Sequence, residues 1–525
     1  MATEEEQGGW HPGHSPWAVA LTVTLATFME VMDTSIANVA LPHIAGGLSA
    51  SQDEATWVLT SYLVSNAVIL PVSGWLSDRF GRKRFYMACV ALFTASSFLC
   101  GLAPSLGALV VFRVLQGIGG GGLGPSEQAI LADTFPASKR GMAFAVYGMA
   151  VVLAPAIGPT LGGWITDHIS WRWIFFINVP FGALSLFLTS FMVQDPPRMV
   201  EGKEKAARQP VDFTGFFLVA LGLGAFQFVL DRGQRDDWFA SAVITWFVIA
   251  AFAALASFVL WELRTEHPVV PVRFFKNRNF SVTCALMLLF FVVLLGMTLL
   301  IPQLAQVEMG YSAQKAGELL TPGSLVVLVF LPLAGFLVSR TDARWLMGGG
   351  LLVIAAALYH MTSLDLQVSF WTLIWWRMLQ MTGAAFLFVP INTIAYTDMP
   401  PEANNQVSAL VNLMRNMGGS LGISAVTTML QRRQQVHQAY LVKDVYRDNP
   451  RFAQASGQIL RRYAVRSGAA QAPRQALAEA YRALQHQAAV LSYVDVIQML
   501  TGVSLAAVVL VFFAKKNKPG QAAAA

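Results

Sequence analysis

The chain has 525 residues, of which 55% are hydrophobic and only 13% are charged. Soluble domains carry about 25% charged residues, so this composition excludes a string of soluble domains and indicates a protein embedded in the lipid bilayer. The formal net charge of +6 does not indicate nucleic-acid binding, because the basic residues lie in short loops between apolar segments. Cys89, Cys100 and Cys284 lie inside apolar runs and predict neither a disulfide framework nor a metal site.

The chain begins with an acidic, polar segment, 1–16, which does not fit a cleavable signal peptide. Apolar runs separated by charged or Pro/Gly-rich turns then predict fourteen membrane-spanning helices, since each span needs about 20 apolar residues. The predicted cores are 17–41, 55–76, 85–103, 106–130, 142–164, 174–193, 213–230, 241–261, 280–304, 316–338, 345–363, 370–397, 405–429 and 491–513. The thirteenth is the least regular, because it contains Arg415 and Asn416.

Lysine and arginine concentrate in alternate loops, around 79–84, 139–140, 198–208, 264–278 and 340–344. The positive-inside rule assigns these loops to the cytoplasm, together with both termini. The long loop 431–490 is basic but falls on the outer side, and loops of about 60 residues escape the rule. We therefore expect a multi-pass protein with an even number of spans.

The chain also repeats itself weakly at a spacing of 260–264 residues. The segments 74–84 and 113–116 recur in degraded form at 335–344 and 377–380, the pair Gly158/Gly162 recurs at Gly418/Gly422, and Pro42 recurs at Pro302. This register equates spans 1 and 9, so two six-helix halves flank two extra helices. We expect a tail 1–16, a half 17–193, linker helices within 194–279, a half 280–513 that includes the loop 431–490, and a tail 514–525.

Four of the charged side chains within the predicted spans are candidates for proton coupling. Asp33 lies midway along span 1, where a carboxylate is costly and functional by default. Glu30 lies one turn earlier and shares its face. Glu127 and Arg113 lie on span 4. The competing interpretations are a hydrogen-bonded structural Asp33, a Glu30 that faces a water-filled vestibule, and a structural buried Arg113.

Two glycine-containing motifs are predicted to act in conformational change rather than in ligand binding. The loop after span 2 is expected to form a cytoplasmic gate, too exposed to bind an apolar substrate, through Gly74, Asp78, Arg79, Gly81 and Arg82. Asp78 would form half of a charge lock between the halves, although control of topology alone would explain the basic residues. On span 5, glycines that allow close packing alternate with prolines that bend the helix, as a hinge of Pro155, Gly158, Pro159, Gly162 and Gly163.

A mostly apolar cavity with few polar anchors suits varied lipophilic ligands. The candidate cavity residues are Asn38, Asn66, Gln128, Tyr147, Asn178, Gln303, Phe388, Asn392 and Asn412. The sequence contains no P-loop, HExxH or CxxC motif. It therefore predicts no enzyme, cofactor or metal, and ions as the source of energy.

These motifs resemble the fourteen-helix drug:proton antiporter branch of the major facilitator superfamily over essentially the whole chain. The segment 32–42 is similar to the first-helix signature of that branch, 74–84 to the superfamily loop motif, 113–117 to the helix-4 motif and 154–163 to the helix-5 motif of exporters. The resemblance implies an all-α membrane protein with helices arranged 6+2+6. It also implies proton-coupled export of hydrophobic toxic compounds by alternating access from a bacterial inner membrane.

The same resemblance implies two protein partners, a periplasmic membrane-fusion adaptor and an outer-membrane channel. It departs at Glu30 and Glu127, where the family carries uncharged residues, so which of Glu30, Asp33 and Glu127 carries the proton stays open. Two other functions remain: an exporter of a physiological anion such as a fatty acid or siderophore, and a non-transporting membrane receptor.

The loop 431–490 is too long for a simple connection. Leu477, Tyr481, Leu484 and Ala488 recur at helical spacing within it and form an amphipathic stripe. The pattern predicts a helical hairpin that docks the adaptor. The alternative is a cap that lies on the transporter's own outer surface.

Overall fold

The computed structural model describes residues 13–197, 212–365, 368–443, 445–446, 449–467 and 471–516. Within these ranges all regular elements are helices, which confirms the all-α class. Most of the N-terminal tail, the basic loop 198–208 and the residues after 516 lie outside the described residues.

The N-terminal half consists of six long helices. They are α1 (Pro16–Gly47), α2 (Trp57–Phe80), α3 (Arg82–Leu102), α4 (Leu106–Thr134), α5 (Ala137–His168) and α6 (Trp173–Met192). Between α2 and α3 the chain turns at a single residue, Gly81, whose φ of 89° favours glycine. In α5 the prolines interrupt the backbone ladder, and the axis bends by 40° between Pro155 and Ile157.

The rest of the chain supplies two linker helices and a second set. The linkers are α7 (Phe213–Arg232) and α8 (Ala242–Arg264). The second set is α9 (Arg278–Val307), α10 (Thr321–Val338), α11 (Ala343–Met361), α12 (Phe370–Ala395), α13 (Asn404–Val442), α14 (Pro450–Ser467) and α15 (Ala472–Val511).

The two halves share one packing plan, as the sequence repeat predicts. Helices α1 and α5 pack together in the first half, and α9 and α13 do so in the second. The pairs α2–α4, α3–α4 and α3–α6 recur in the same way as α10–α12, α11–α12 and α11–α15. Equivalent sequence motifs therefore occupy equivalent places in two parallel repeats, the arrangement of many membrane transporters.

The repeated glycine pair lies where α1 meets α5 and where α9 meets α13. A Cβ atom at Gly158 would lie 2.5 Å from the Ser35 hydroxyl on α1, and one at Gly418 would lie 2.3 Å from the Leu288 carbonyl oxygen on α9. Small residues at such positions let helix backbones approach closely, and packing is a main source of helix association in lipid.

Twelve of the described helices are long and apolar enough to cross a membrane, and the bent α5 brings the number to thirteen. Helix α13 is long enough but less apolar than the others, because it carries Arg415, Asn416 and a polar C-terminal extension. It nevertheless packs inside the bundle against α9, α15 and α2. The prediction of fourteen spans thus holds only if α13 is counted.

The halves meet at the end of the bundle where α2 joins α3, called here the Arg82 end. At this end one apolar core contains residues of both halves, including Phe144 and Tyr396, whose rings stack at 5.4 Å. Toward the opposite end the N-terminal half has a separate core of its own, which includes Ile36, Ala40 and Phe175. The conformation is therefore closed between the halves at the Arg82 end.

The linker helices lie on one flank of this junction. Helix α7 packs against α2 and also touches α13, so it contacts both halves. Its C-terminal end is tied to α2, where Asp231 accepts a hydrogen bond from the Thr60 hydroxyl. Gln234, two residues after α7, donates a bond of 2.5 Å to Gln431 on α13. Helix α8 packs mainly on α7 and leaves most of its apolar surface for lipid.

Helices α13 and α15 have 39 and 40 residues, about 60 Å each at the α-helical rise. The hydrocarbon core of a bilayer is only about 30 Å thick, so both helices project well beyond it. Helix α14 packs on the projecting part of α15. The predicted hairpin is thus built largely by extension of two membrane helices. It is joined to the bundle by a 2.8 Å contact between the His486 ring and the Glu308 carboxylate.

Candidate functional site

The contact between the halves at the Arg82 end consists of N-terminal charges and C-terminal amides. Arg82 and Asp133, both from the first half, form an ion pair. Asn405 of the second half accepts a 2.6 Å hydrogen bond from Arg82 Nε and donates a 2.5 Å bond to Asp78. Asn404 donates a 2.6 Å bond to the other oxygen of Asp133, and Gln406 donates a 3.3 Å bond to Asp78. Among the described residues, the donors from the second half to Asp78 are therefore neutral amides.

Two glycines bring the backbones together in this region. A Cβ atom at Gly74 would lie 2.9 Å from the Asn405 carbonyl oxygen, and one at Gly335, its counterpart in the repeat, would lie 2.8 Å from the Gly141 carbonyl oxygen. Both distances are shorter than Cβ atoms tolerate. The repeated loop motif therefore places a glycine at each of two pseudo-symmetric contacts between the halves.

The expectation that this loop is exposed is wrong for Arg82, which is 2% exposed. Burial follows from its three partners: Asn405, Asp133 and the Ala129 carbonyl oxygen, to which it donates a 2.9 Å bond. A buried arginine needs such complete pairing. Arg79 lies nearer the surface and stacks on the Trp75 ring, 5.4 Å from its centroid.

A second layer of polar contacts lies deeper in the bundle and also joins the halves. Gln128 on α4 donates a 2.9 Å bond to Asn392 on α12 and accepts a 2.8 Å bond from Asn412 on α13. The Tyr147 hydroxyl donates a 3.2 Å bond to Asn412, and the Tyr147 ring stacks on Phe388 at 6.0 Å. Five predicted cavity residues thus come together as one buried bridge between the halves.

Glu30 lies next to this bridge. Its Oε1 atom accepts hydrogen bonds from the Tyr62 hydroxyl at 3.2 Å and from Asn66 at 3.3 Å, whereas Oε2 has no partner among the described residues. Asn66 in turn accepts a 3.1 Å bond from Asn416 on α13. The predicted cavity residue Asn66 therefore links Glu30 to the second half.

Glu127 has a similar environment on the other side of α1. Its Oε1 atom accepts a 2.6 Å bond from the Thr24 hydroxyl, and its buried Oε2 has no partner among the residues that the structure describes. Arg415 of the second half donates to the Tyr147 hydroxyl and lies within electrostatic range of both Glu30 and Glu127. One cation of the second half thus faces two carboxylates of the first.

Asp33 is fully paired, unlike the two glutamates. It accepts hydrogen bonds from Arg113 Nη1 at 2.6 Å, Gln116 at 3.0 Å and Asn178 at 2.6 Å. Both charged side chains are at most 2% exposed. The Arg113 guanidinium also lies 4.4 Å from the Tyr62 ring centroid, so Tyr62 connects this ion pair to Glu30.

A family model supplies the decisive comparison. The model described as Major Facilitator Superfamily matches residues 23–423, more than half of the chain. The chain belongs to the Major Facilitator Superfamily. The expected resemblance to this superfamily is confirmed. Its fold accounts for the two six-helix halves with equivalent packing.

Curated relatives narrow the branch. The transporter is 39% identical to the multidrug export protein EmrB of Haemophilus influenzae over 82% of this chain and 84% of that protein. It is 35% identical to EmrB of Escherichia coli (strain K12) over 95% of both chains. It is also 39% identical to the fatty acid resistance protein FarB of Neisseria gonorrhoeae over 80% of this chain and 82% of that protein. These matches confirm the expected resemblance to drug exporters of this superfamily.

Among solved structures, the proton:xylose symporter XylE superposes with a TM-score of 0.62 at 15% identity, over 96% of this chain and 97% of that one. At this identity the likeness concerns the fold alone. It is consistent with the two-repeat packing described above.

The remaining predicted residues lie apart from the bridge. Asn178 is bound to Asp33 inside the first half, whereas Asn38 is exposed and Gln303 half-buried toward the opposite end. The Ser35 hydroxyl on α1 donates a 3.3 Å hydrogen bond to the Pro155 carbonyl oxygen on α5. This oxygen has no partner within α5, because Pro159 has no N–H to donate to it. Gly162 packs on Ile36, while nothing lies within 4 Å of a Cβ atom at Gly163.

Several residues of the site were not predicted from the sequence. Each of them makes a hydrogen bond to a predicted residue that lies far away in the chain. They are Tyr62, Asp133, Asn405 and Arg415. Arg415 alone had a usable signal, because an arginine within an apolar span is functional by default. The amides of α13 carry no such signal.

Proposed function

We propose that the transporter is a proton-coupled multidrug efflux protein of a bacterial inner membrane, which exports hydrophobic toxic compounds by alternating access. One observation carries the proposal: Glu30 and Glu127 are buried at the junction between the halves, and each has one oxygen without a hydrogen-bond donor among the described residues. A buried ionised carboxylate with an unsatisfied oxygen is costly, and protonation removes that cost. Both glutamates therefore suit reversible proton binding. EmrB-type relatives, named as multidrug exporters, support the substrate class.

Proton binding at these glutamates would act on the junction through Arg415. When the carboxylates are charged, Arg415 attracts them from the other half and favours closure of the Arg82 end. Protonation removes that attraction, so the halves can separate there. The membrane potential supplies about 2.3 kcal/mol per charge per 100 mV, to which the pH gradient adds.

Asp33 has a different role in this scheme. Its three donors and its ion pair stabilise the charged form, so we assign Asp33 and Arg113 to holding α1 against α4 and α6. Tyr62 transmits changes at Glu30 to this pair, because its hydroxyl binds Glu30 and its ring lies against Arg113. No enzymatic step is needed.

The distribution of basic loops supports a cytoplasmic Arg82 end with both termini inside. In that orientation the closed network of Asp78, Arg82 and Asn405 is the cytoplasmic gate, and the projection of α13, α14 and α15 lies in the periplasm. We propose that this projection binds a membrane-fusion adaptor leading to an outer-membrane channel. Tyr440, Leu477 and Tyr481 support this, since they expose 62%, 66% and 49% of their surface there.

The proposal is tested with purified transporter in liposomes, where an imposed pH gradient drives ethidium movement that is followed by fluorescence. We expect the Glu30→Gln/Glu127→Gln double variant to lose gradient-driven transport while it still binds ethidium. The matched control is Glu262→Gln, a buried carboxylate on linker helix α8 away from the junction, which should transport normally. Wild-type transport by the double variant would refute the coupling role, and each single variant shows which glutamate is needed.

A second candidate function is export of an amphipathic anion. The similarity to the fatty acid resistance protein FarB favours it. The two functions are compatible in one cavity, and the binding of anionic and cationic amphiphiles separates them.

A further inference from the structure

The second half contains a buried arginine that has no counter-ion among the residues that the structure describes. Arg377 on α12 is 3% exposed, and it donates 2.8 Å and 2.7 Å hydrogen bonds to Gln380 and to the Thr298 hydroxyl. Its Nε atom has no partner, and no carboxylate among the described residues pairs with it. Both of its side-chain acceptors are neutral.

The first half shows what this arrangement lacks. Arg113 donates a hydrogen bond of 2.8 Å to Gln116 three residues later, as Arg377 does to Gln380. In the first half the carboxylate of Asp33 on α1 neutralises the arginine, whereas in the second half the partner on α9 is the neutral hydroxyl of Thr298. Thr298 lies five residues beyond Val293, which the 260-residue offset aligns with Asp33. The two arginines therefore share the glutamine contact, but only Arg113 has an anionic partner on the first helix of its half.

A guanidinium buried in a membrane protein without a negative partner is energetically costly. An anionic ligand would remove this cost, and arginine binds planar carboxylates through two parallel hydrogen bonds. The position that a carboxylate would occupy is the one that Thr298 fills now. Thr298 is itself half-exposed and donates to the Leu294 carbonyl oxygen at 2.7 Å, so its hydroxyl can give way without losing all its bonds.

The approach to Arg377 is directional. On α10 a Cβ atom at Gly323 would lie 3.0 Å from Arg377 Cγ, so the stem of the side chain is covered from that side. Thr298 on α9 offers the accessible side. A ligand therefore reaches the guanidinium past Thr298.

We propose that Arg377, with Gln380, binds the carboxylate of an amphipathic anionic substrate within the C-terminal half, in the place that the Thr298 hydroxyl fills now. The inference rests on the proposed export function and names the group by which one substrate class is recognised. The Glu30 and Glu127 site is separate and would serve all substrates through proton coupling.

The experiment uses the full chain in nanodiscs and three probes with the same twelve-carbon tail: laurate, dodecanol and dodecyltrimethylammonium. Thr298→Asp supplies an internal carboxylate for Arg377, and Thr298→Asn is its uncharged isostere. We expect Thr298→Asp to weaken laurate binding at least tenfold, Thr298→Asn to change it less than about threefold, and neither to alter binding of the other two probes. Arg377→Gln should also lose preference for laurate over dodecanol.

Equal laurate affinity of the Thr298→Asp and Thr298→Asn variants would overturn the proposal, as would a wild-type protein that binds laurate and dodecanol alike. Thermal unfolding with and without laurate gives an independent readout, because a ligand that binds the folded state raises its stability. Gradient-driven ethidium transport is measured on the same preparations. Its loss in the wild type would refute the export function, whereas its retention in Thr298→Asp with lost laurate binding would support the anion site alone.

Discussion

Arg82 in the N-terminal half donates a hydrogen bond of 2.6 Å from its Nε atom to Oδ1 of Asn405 in the C-terminal half, 323 residues away in the chain. The same Asn405 donates to Asp78 through its amide nitrogen. One neutral side chain thus satisfies a cation and an anion of the opposite half at once. We propose that closure at the Arg82 end depends in part on this pair of hydrogen bonds.

Asn405→Ala should open the Arg82 end more often. The substitution leaves Arg82 and Asp78 each short of one partner, at about 1–3 kcal/mol apiece, and so should raise the open population at least about tenfold. A Ser408→Cys reporter, fully buried between the halves, measures this by its rate of labelling with a water-soluble maleimide. The native Cys89, Cys100 and Cys284 are buried. Asn38→Ala, on the exposed surface toward the opposite end, should leave the rate unchanged, and an equal rate in Asn405→Ala would contradict the gate.

Gly335→Val should have the same effect by a steric route. A Cβ atom there lies 2.8 Å from the Gly141 carbonyl oxygen, so the backbones of α10 and α5 must separate. We expect faster labelling of the Ser408→Cys reporter and slower efflux. The matched control is Gly349→Val on α11, where nothing lies within 4 Å of a Cβ atom. The steric explanation is excluded if both variants label at the wild-type rate.

Asp33→Asn should destabilise the protein, because it leaves Arg113 buried without its counter-ion. Breaking one side of a buried ion pair costs about 3–5 kcal/mol, whereas removing both sides costs far less. The Asp33→Asn/Arg113→Gln double variant should therefore unfold at a higher temperature than Asp33→Asn in the same detergent. If the double variant proves the less stable of the two, the pair is not the unit that the structure shows.

Leu477→Asp and Tyr481→Asp should weaken assembly but not transport. Both side chains are exposed on the projecting part of α15, so a charge there disturbs a partner's apolar contact without disturbing the bundle. Efflux in liposomes should match the wild type, while adaptor capture and drug resistance in cells should fall. Gln487→Asp, exposed on the same helix, is the charge-matched control. Wild-type capture by both variants would favour a cap over a docking surface.

The amphipathic stripe that predicted this surface is only partly available. Leu477 and Tyr481 are exposed, but Leu484 is half-buried and Ala488 is fully buried as α15 enters the bundle. Helical spacing shows which residues share a face, whereas the depth at which a helix meets its neighbours depends on the rest of the fold. The docking prediction therefore applies only to Leu477 and Tyr481, at the N-terminal end of the stripe.

What the sequence by itself determined follows from the cost of charge in lipid and from local spacing. Long apolar runs predicted the positions of the helices. A charged residue within a span is energetically costly, and this cost identified Asp33, Arg113, Glu30 and Glu127 as functional candidates. The fixed offset of repeated motifs predicted two equivalent halves. Each of these patterns can be read from one segment of the sequence, or from the comparison of two segments. The predictions therefore require no knowledge of which residues are in contact.

Only the tertiary structure decided which residues meet. It joined Asp33 to Arg113 and left Glu30 and Glu127 facing Arg415. It also brought Asn405 to Asp78 across the junction, and it gave Arg377 the neutral hydroxyl of Thr298 as a partner where Arg113 has the carboxylate of Asp33. The physical reason is that asparagine and threonine cost little in a helix wherever they lie. Their importance arises from the partner that close packing brings to them across the interface between helices.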